Sequence, residues 1–549
     1  MQLIKLILNT IYFKKCAIIL IVLLSTNSTY SQINEPTNHQ AYEYLYRMAQ
    51  KGIVNIDDYI LPLDRATIYQ LLDTVKTKVQ LLNKVEKEEL NFYLNDFLID
   101  NTTHTEKIKA LDKKYQNRPR LFYAVKDDKS IMIDPIFGFS AGKYYDKKAT
   151  NYFGGIRVYG KLGKRIGFNF SYRDITETGD TVDIAKGFNA LKGRAGGLYS
   201  GNKLNYGDFN FNIGYKWKNG MLSVGKENIV FGYAQSGNII LSDKAPSYPY
   251  IKLDYYPFKW LHFNYMHGWL MSNVIDSNAT YGTGSGVYGS ERLVYVPKFI
   301  AHHSITITPT KGLKISVGES MVYSDKFDIG YLIPINFFKG YDHYASNSDI
   351  RLGGNGQFFG QISSRNHIKN THLYASLFID EIRLSKIFSK HNNRNQLGYT
   401  IGGSITDVGV KYLTLGAEYV HINPFVYSNL IPAQLYTSHN YSLGDWMGNN
   451  ADRLYAFAKY TPVAKLKTKA WFQYIRKGGA GTIQQQYIDP MPPFLFDKLF
   501  NQTEVGLSLQ YEWIQSCRFN LLMAHTTTDF ETGGSNKGLT LRLGISYGL

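Results

Sequence analysis

Three long polar stretches carry side chains suited to gripping a polyhydroxylated anion. Residues 176–206 hold Lys186, Lys192, Arg194, Tyr199 and Lys203. Residues 323–355 hold Lys326, Lys339, Tyr341, His343, Tyr344 and Arg351, and residues 422–452 hold Tyr427, Tyr436, Tyr441 and Trp446. Flat rings stack on the C–H faces of sugars, lysines bring point charge, and the arginine fork matches a carboxylate. From this pool Lys192, Arg194, Tyr199, Tyr341, Tyr344, Arg351, Tyr427 and Trp446 are the candidates for holding an acidic glycan. The formal charge, +17 for the whole chain and +14 without residues 1–31, points to an anionic partner. Charge alone does not separate an acidic polysaccharide from lipopolysaccharide phosphates.

Catalytic patterns are missing. The chain has no G-x-S-x-G elbow and no H-E-x-x-H helix. Residues 284–289 fit G-x-G-x-x-G, but no helix follows to aim an N-terminus at a phosphate, so they read as a glycine-rich loop. His302 and His303 are neighbours in a strand pattern, so their side chains leave opposite faces and do not chelate together. The expectation is a binding protein, not an enzyme, with no cofactor and no metal. No basic helix interleaved with aromatics suggests nucleic acid.

The frame for these side chains shows first in composition. Among 549 residues are 44 tyrosines, 31 phenylalanines and 6 tryptophans, with 49 glycines, 16 prolines and 2 cysteines. This excludes a collagen, a disulfide-stapled mini-domain and a disordered acidic chain. A mean hydropathy of −0.26 excludes a bundle of apolar membrane helices. A large antiparallel β protein that hides its membrane face by alternation fits.

Lys5, Lys14 and Lys15 precede the apolar run 16–24, and small and polar residues follow to Ser31. This is the pattern of an export signal over residues 1–31, cleaved between Ser31 and Gln32. Its removal takes three lysines and no acids, leaving +14 and one cysteine, Cys517, which excludes an internal disulfide. Residues 32–128 read as a small periplasmic helical region. Ala41, Leu45, Met48 and Ala49 recur at helical spacing up to the stop at Gly52. Asp64 caps a second helix whose stripe runs Ile68, Leu71, Leu72, Val75, Val79 and Leu82. A third segment carries Leu90, Tyr93, Leu94, Phe97 and Leu98, and a weaker, lysine-rich fourth covers 108–115.

From residue 129 to 549 the period changes to two. Phe209, Phe211, Ile213, Tyr215 and Trp217 alternate with polar or small residues, as do Val505 to Trp513 and Leu539 to Leu549. Eighteen such strands can be placed. Short connections such as 163–165, 218–220, 257–260, 310–311, 462–465 and 514–516 alternate strictly with long ones at 176–206, 228–248, 272–297, 323–355, 380–395, 422–452 and 477–502. The expected fold is therefore an all-β transmembrane barrel of about 18 antiparallel strands with a small N-terminal α-helical region, set in the outer membrane. The tyrosine excess then forms aromatic girdles at both rims, with Tyr255, Tyr256, Phe258 and Trp260 in the periplasmic one.

Four segments carry a family likeness. They are Tyr44 to Gly52 with the Pro62-Leu63-Asp64-Arg65 helix start; Val224 to Tyr233 continuing to Leu241 through Pro249; Leu377 to Glu381; and Glu418 to Phe425 continuing through Leu443-Gly444 to Gly448 through Asp452. In this order they resemble the capsule-assembly Wzi family of outer-membrane proteins, in the version common in Bacteroidota. The resemblance spans nearly the whole mature chain and rests on the combination, since no single segment is a signature. It implies an eighteen-stranded barrel with helices at the periplasmic side. It also implies a lectin-like role, binding and retaining capsular or other surface polysaccharide, without enzymatic activity. The partners implied are polysaccharide, outer-membrane lipid and other capsule-export or motility proteins, with the barrel a monomer. A related outer-membrane protein of gliding bacteria is similar too, so gliding motility or surface transport is an alternative, and a plugged porin-like channel is another. The matching residues Glu227, Asn228, Asp243, Asp380, Glu381, Glu418, Asn423 and Asn449 are lumen candidates. Their acids are expected to pair with Arg157, Arg173 or Arg383, because charge buried in a barrel must be compensated; glycan or ion contact is the other reading.

Overall fold

Two-residue periodicity with one apolar side closes into a cylinder. The computed structural model describes residues 33–98, 106–109, 118–284, 286, 289–382, apart from 346–352, and 384–548, apart from 387, 390 and 392–393. Its barrel strands are β1 (Lys129–Tyr144), β2 (Lys147–Leu162), β3 (Ile166–Gly179), β4 (Lys203–Trp217), β5 (Gly220–Glu227), β6 (Tyr248–Phe258), β7 (Leu261–Ile275), β8 (Tyr295–Thr310) and β9 (Leu313–Ser324). They continue as β10 (Asn355–Arg365), β11 (Thr371–Glu381), β12 (Gln396–Thr406), β13 (Leu413–Ile422), β14 (Ala451–Val463), β15 (Leu466–Lys477), β16 (Phe500–Ile514), β17 (Cys517–Phe530) and β18 (Ser535–Tyr547). Each pairs antiparallel with the next, and β18 returns to β1 with Tyr547 opposite Phe137, which leaves no free edge. A short strand, Phe122–Lys126, already pairs with the start of β1 ahead of residue 129.

The alternation sorts polar from apolar in the direction a membrane requires. Ile213, Val224, Ile305, Val317, Ile401, Val505 and Leu543 point outward and are exposed, whereas Asn212, Ser223, Ser304, Thr306, Ser316, Ser363 and Thr400 point inward and are buried. This is the inside-out pattern of a transmembrane barrel. Phe258 stacks on Trp260 at the β6–β7 turn, 5.5 Å between ring centres, in the expected girdle position.

Three expectations are corrected. Strict alternation of short and long connections fails at the seam: at the long-loop end only residues 145–146 join β1 to β2 and only 531–534 join β17 to β18. Polar residues above the apolar stretch keep pairing there, Tyr144 with Lys147 and Asp529 with Ser535, so the strands outrun their hydrophobic pattern. The fourth helix does not form over 106–109, which is a strand paired with Phe122–Lys126; residues 110–117 lie outside the described residues. Girdles also account for only part of the tyrosine excess, because Tyr42, Tyr44, Tyr59, Tyr93, Tyr159, Tyr250 and Tyr436 are fully buried inside. The segment 1–31 lies outside the described residues.

The helices α1 (Ala41–Gln50), α2 (Arg65–Lys76) and α3 (Lys84–Leu98) pack their stripes on each other. Gly52 takes a left-handed φ of 72°, and the Ile53 N–H reaches back to the Met48 carbonyl, so α1 stops as its glycine predicts. The Asp64 carboxylate accepts from the Thr67 N–H at 3.0 Å and caps α2. That helix ends before Val79, which is exposed, while Leu82 still joins the core.

This unit sits inside the short-turn end of the barrel as a plug. Asp58 receives both arms of Arg365 at 2.8 and 2.7 Å. Glu35 sits between Arg157 of the wall and Arg65 of α2, Asp57 meets Lys314 at 2.8 Å, and Glu43 meets Lys459 at 2.9 Å. Asp96 of α3 meets Arg118, which also reaches Asp134 on β1. Burial alone would raise the carboxyl pKa of Glu35 and Asp96, but the adjoining guanidinium groups hold both below the usual carboxylate range. Glu43 and Asp57 are also lowered: burial opposes it, and Lys459 and Lys314 overcome it. A carboxylate whose folded pKa lies below its unfolded value stabilises the fold fully above the unfolded pKa and loses that contribution as pH falls further. The plug is therefore expected to keep its amide-exchange protection from neutral pH down to about 4 and to lose it progressively below; a loss of protection in α1 already near pH 6 would contradict these pairs.

Loops close the other end. Residues 228–247 dip into the lumen, where Val230 and Phe231 pair with Leu61 and Ile60 beside the plug. Residues 423–450 fold in beside them: the Ser242 N–H donates to the Leu443 carbonyl at 2.7 Å, and the Tyr427 and Tyr436 hydroxyls donate to the carbonyls of Ile239 and Ile240. Residues 325–345, by contrast, turn outward and lie on the outer wall, ending in α4 (Phe338–Ala345).

Candidate functional site

The inward positions of β17, β18, β1, β2 and β3 leave room beside the plug, along the seam where the long-loop end carries only short connections. Two adjoining cavities follow that wall, and a third opens from them across the plug toward the wall of β10–β16. One of about 530 Å³ runs from Arg518 and Ser546, next to the short-turn end, up to Ser140 and Arg542. One of about 180 Å³ shares Ser140 and Arg542 and continues to Tyr144, Ala149 and Lys192 at the opposite rim. The third, about 510 Å³, shares Thr37, Gln40, Glu43, Tyr46 and Gln510 with the first and spreads between the plug and residues 230–244. Together they are lined by ten lysines and arginines against four carboxylates, so the space favours an anion.

The cations differ in how free they are. Arg173 is committed to Asp208 and lies 5.6 Å over the Phe153 ring. Lys459 is held by Glu43 and Gln235, and Lys467 by Glu89. Arg542 donates only to the Ser140 hydroxyl, at 3.1 and 2.8 Å, and has no carboxylate partner among the described residues. Lys192 stands 3.7 Å from Asp208; burial draws its ammonium pKa down while Asp208 pulls it back up. Aromatic faces are at hand in Tyr144, Tyr206, Phe153, Phe457 and Trp446.

The predicted loop residues divide. Lys192 lines the seam cleft, and Trp446 lines the cavity beside the plug, its indole N–H donating to the Ser236 carbonyl at 2.9 Å and Arg453 lying over its ring. Arg194 is spent within its own loop on Asp183, the Gly196 carbonyl and Tyr199, whose ring is exposed. Tyr427 is buried core, contrary to its expected place on an open loop, because its loop folds inward. Tyr341 donates to Asp328 and Tyr344 is exposed, but both ride on the outward segment around α4, away from the cleft. Arg351 lies outside the described residues.

The motif residues mostly hold loops in the lumen. Glu418 accepts from the Tyr374 hydroxyl at 2.7 Å, the Gln235 N–H at 2.8 Å and the Ser236 hydroxyl. Asp380 accepts from the Tyr427 N–H at 2.7 Å and Gln357. Asn228 ties to the Ala245 carbonyl, Asn423 to the Asn395 carbonyl and Asn449 to the Ala480 carbonyl. Glu381 meets Arg394, and Asp243 is exposed on the cavity beside the plug. The expected arginine partners are not theirs: Glu227 takes Asn34 and Tyr250, Arg157 goes to Glu35, Arg173 goes to Asp208, and Arg383 lies outside the described residues. An N-terminal segment that enters the lumen supplies acids that strand patterns alone do not place. His302 faces the lumen against Phe231 and Phe359, and His303 faces outward toward Glu319, as their adjacency requires.

The fold is shared with Wzi of Escherichia coli. That structure, described as an outer-membrane protein involved in group 1 capsule assembly and a carbohydrate-binding β-barrel, matches over 94% of this chain and 99% of its own, with a TM-score of 0.59 and 11% identity. OprD of Pseudomonas aeruginosa matches over 76% of this chain and 94% of its own, with a TM-score of 0.41 and 10% identity. No protein-family model matches the sequence, and no curated protein matches it. At such identities the likeness to Wzi establishes the barrel fold alone.

Arg542, Arg518, Lys459 and Lys469 were not among the predicted site residues. Their signal was present as cations on the polar side of amphipathic strands, as with Arg542 between the outward Leu541 and Leu543.

Proposed function

We propose that the protein resides in the outer membrane, reached after loss of residues 1–31, and binds and retains an acidic surface polysaccharide at the cell surface. The observation that carries this reading is the cation-rich space that runs along the seam and across the plug, in a barrel whose lumen is otherwise filled by plug and loops. A filled barrel has little use as a wide pore, and a basic, ring-lined cleft at the rim suits a chain of uronic acids. Wzi of Escherichia coli, with the same fold, is a carbohydrate-binding barrel in capsule assembly, which supports the assignment. In this role the barrel holds its ligand unchanged and acts as a monomer. Deleting the gene should leave polysaccharide synthesis intact and shift the polymer from the cell pellet to the medium. Unchanged cell-attached polysaccharide would remove the retention role, and loss of surface spreading with normal polysaccharide would favour the motility alternative.

A further inference from the structure

A transmembrane barrel normally shows lipid only side chains of its strands. Here the outward faces of β7, β8 and β9 are covered toward their long-loop ends, while Ile305 and Val317 below stay bare. Tyr265, Phe299, Ala301, Met321 and Tyr323 form a second apolar core outside the cylinder, closed by Tyr331 and Phe338 of residues 325–345. Beneath this cover lies a polar spot. Glu319, only 3% exposed, faces outward, meets His303 Nε2 at 3.1 Å and accepts the Phe338 N–H at 2.6 Å and the Lys339 N–H at 3.3 Å.

The height of this spot is set by register. His303 is seven residues from the end of β8 at Thr310, and Glu319 is six from the start of β9 at Leu313. With a rise of about 3.3 Å and a tilt of about 40°, both stand roughly 15–18 Å up the barrel axis, within an apolar band about 25 Å tall. The covering segment is fixed at that level, since His303 Nδ1 lies 3.0 Å from the Pro334 carbonyl and the Tyr265 hydroxyl donates to the Tyr331 carbonyl at 2.8 Å.

Irregular backbone survives at membrane depth only where its polar groups find protein partners. Within residues 329–338 the N–H groups of Gly330, Tyr331, Ile333, Asn336 and Phe338 do so. The N–H groups of Tyr331, Ile333 and Asn336 donate to the carbonyls of Asp328, Gly330 and Ile333, and residue 334 is a proline with no N–H to satisfy. Residues 329–338 contain no charge, and their far side is apolar: Ile335 is 85% exposed, Ile329 72%, Phe337 58% and Ile333 50%.

We infer that residues 329–338 form a flap embedded in the hydrocarbon of the bilayer, docked on Glu319 and presenting Ile329, Ile333, Ile335 and Phe337 to lipid acyl chains. The flap widens the protein's lipid-facing surface on one side and shields a charge that hydrocarbon would not tolerate bare. Its occupant is acyl chain, because depth, lack of charge and internal backbone pairing coincide there.

The test places a nitroxide on Ile335→Cys or Ile333→Cys in a Cys517→Ser background, with the protein reconstituted in dioleoylphosphatidylcholine vesicles. Val317→Cys on the bare wall and Asn202→Cys on a long-loop tip serve as references. The expected result is an oxygen-to-nickel-chelate accessibility ratio at 335 and 333 similar to that at 317 and several-fold above that at 202. A ratio like that at 202 would place the flap in water, and exclusion of both reagents would place a second copy or another protein over it; either result overturns the inference. The labelled positions are exposed, and Cys517→Ser, the one change at a buried site, is common to all the samples, so the comparison among positions holds.

Discussion

Replacing Arg365 with leucine is expected to loosen the helical plug by roughly 3–5 kcal/mol, the usual cost of stripping one partner from a buried ion pair. Asp58 is buried and receives both arms of the Arg365 guanidinium, so the leucine variant leaves a carboxylate in the lumen without its counter-charge. Arg365 also lies 5.5 Å over the Tyr233 ring, which ties the plug to the inward loop 228–247. The readout is amide exchange across α1, which should accelerate roughly a hundredfold to several thousandfold. Joint replacement, Asp58→Asn with Arg365→Met, should recover much of the loss, because it removes the orphaned charge along with the bond. Unchanged exchange in the Arg365→Leu variant would mean that the plug is held by its apolar contacts alone.

Arg542→Gln is expected to weaken binding of an acidic polysaccharide by about ten- to a hundredfold, as a charge-assisted contact contributes roughly 1.5–3 kcal/mol. Arg542 is the informative position because it donates only to Ser140, so its loss orphans no acid in the wall. Arg173 would not serve, since its removal strands Asp208. Lys192→Gln, at the rim, should have a smaller effect that vanishes in high salt. Binding measured on reconstituted vesicles with polygalacturonate, against dextran as the neutral control, separates charge recognition from general adhesion. An affinity unaffected by Arg542→Gln would move the binding site out of the seam cleft.

The strands were readable because a two-residue alternation of large apolar and small polar residues is local, and the transmembrane environment enforces it along each strand. The helix stop at Gly52 and the helix start at Asp64 were readable for the same reason, each being decided within one turn. What joins them was not local: Asp58 and Arg365 are 307 positions apart, and no single strand or helix announces that the plug enters the barrel. Tyr427 and Trp446 sit in a loop whose composition suits either an open rim or a packing role in the lumen, and only the partners Ile239 and Ser236, nearly two hundred or more residues away, bring both into the lumen. The outward flap was hidden similarly, since residues 329–338 lie in a long loop read for its cations and tyrosines, and only Glu319 and His303 on the outer wall show where it docks.

Vesicles carrying the wild-type protein, co-sedimented at low ionic strength with a panel of acidic and neutral polysaccharides, would test retention by the seam cleft most directly. Acidic polymers should pellet with the vesicles, be released by salt and be retained less by Arg542→Gln, while dextran stays in the supernatant. Failure of every acidic polymer to pellet, or equal pelleting of the neutral one, would contradict the assignment.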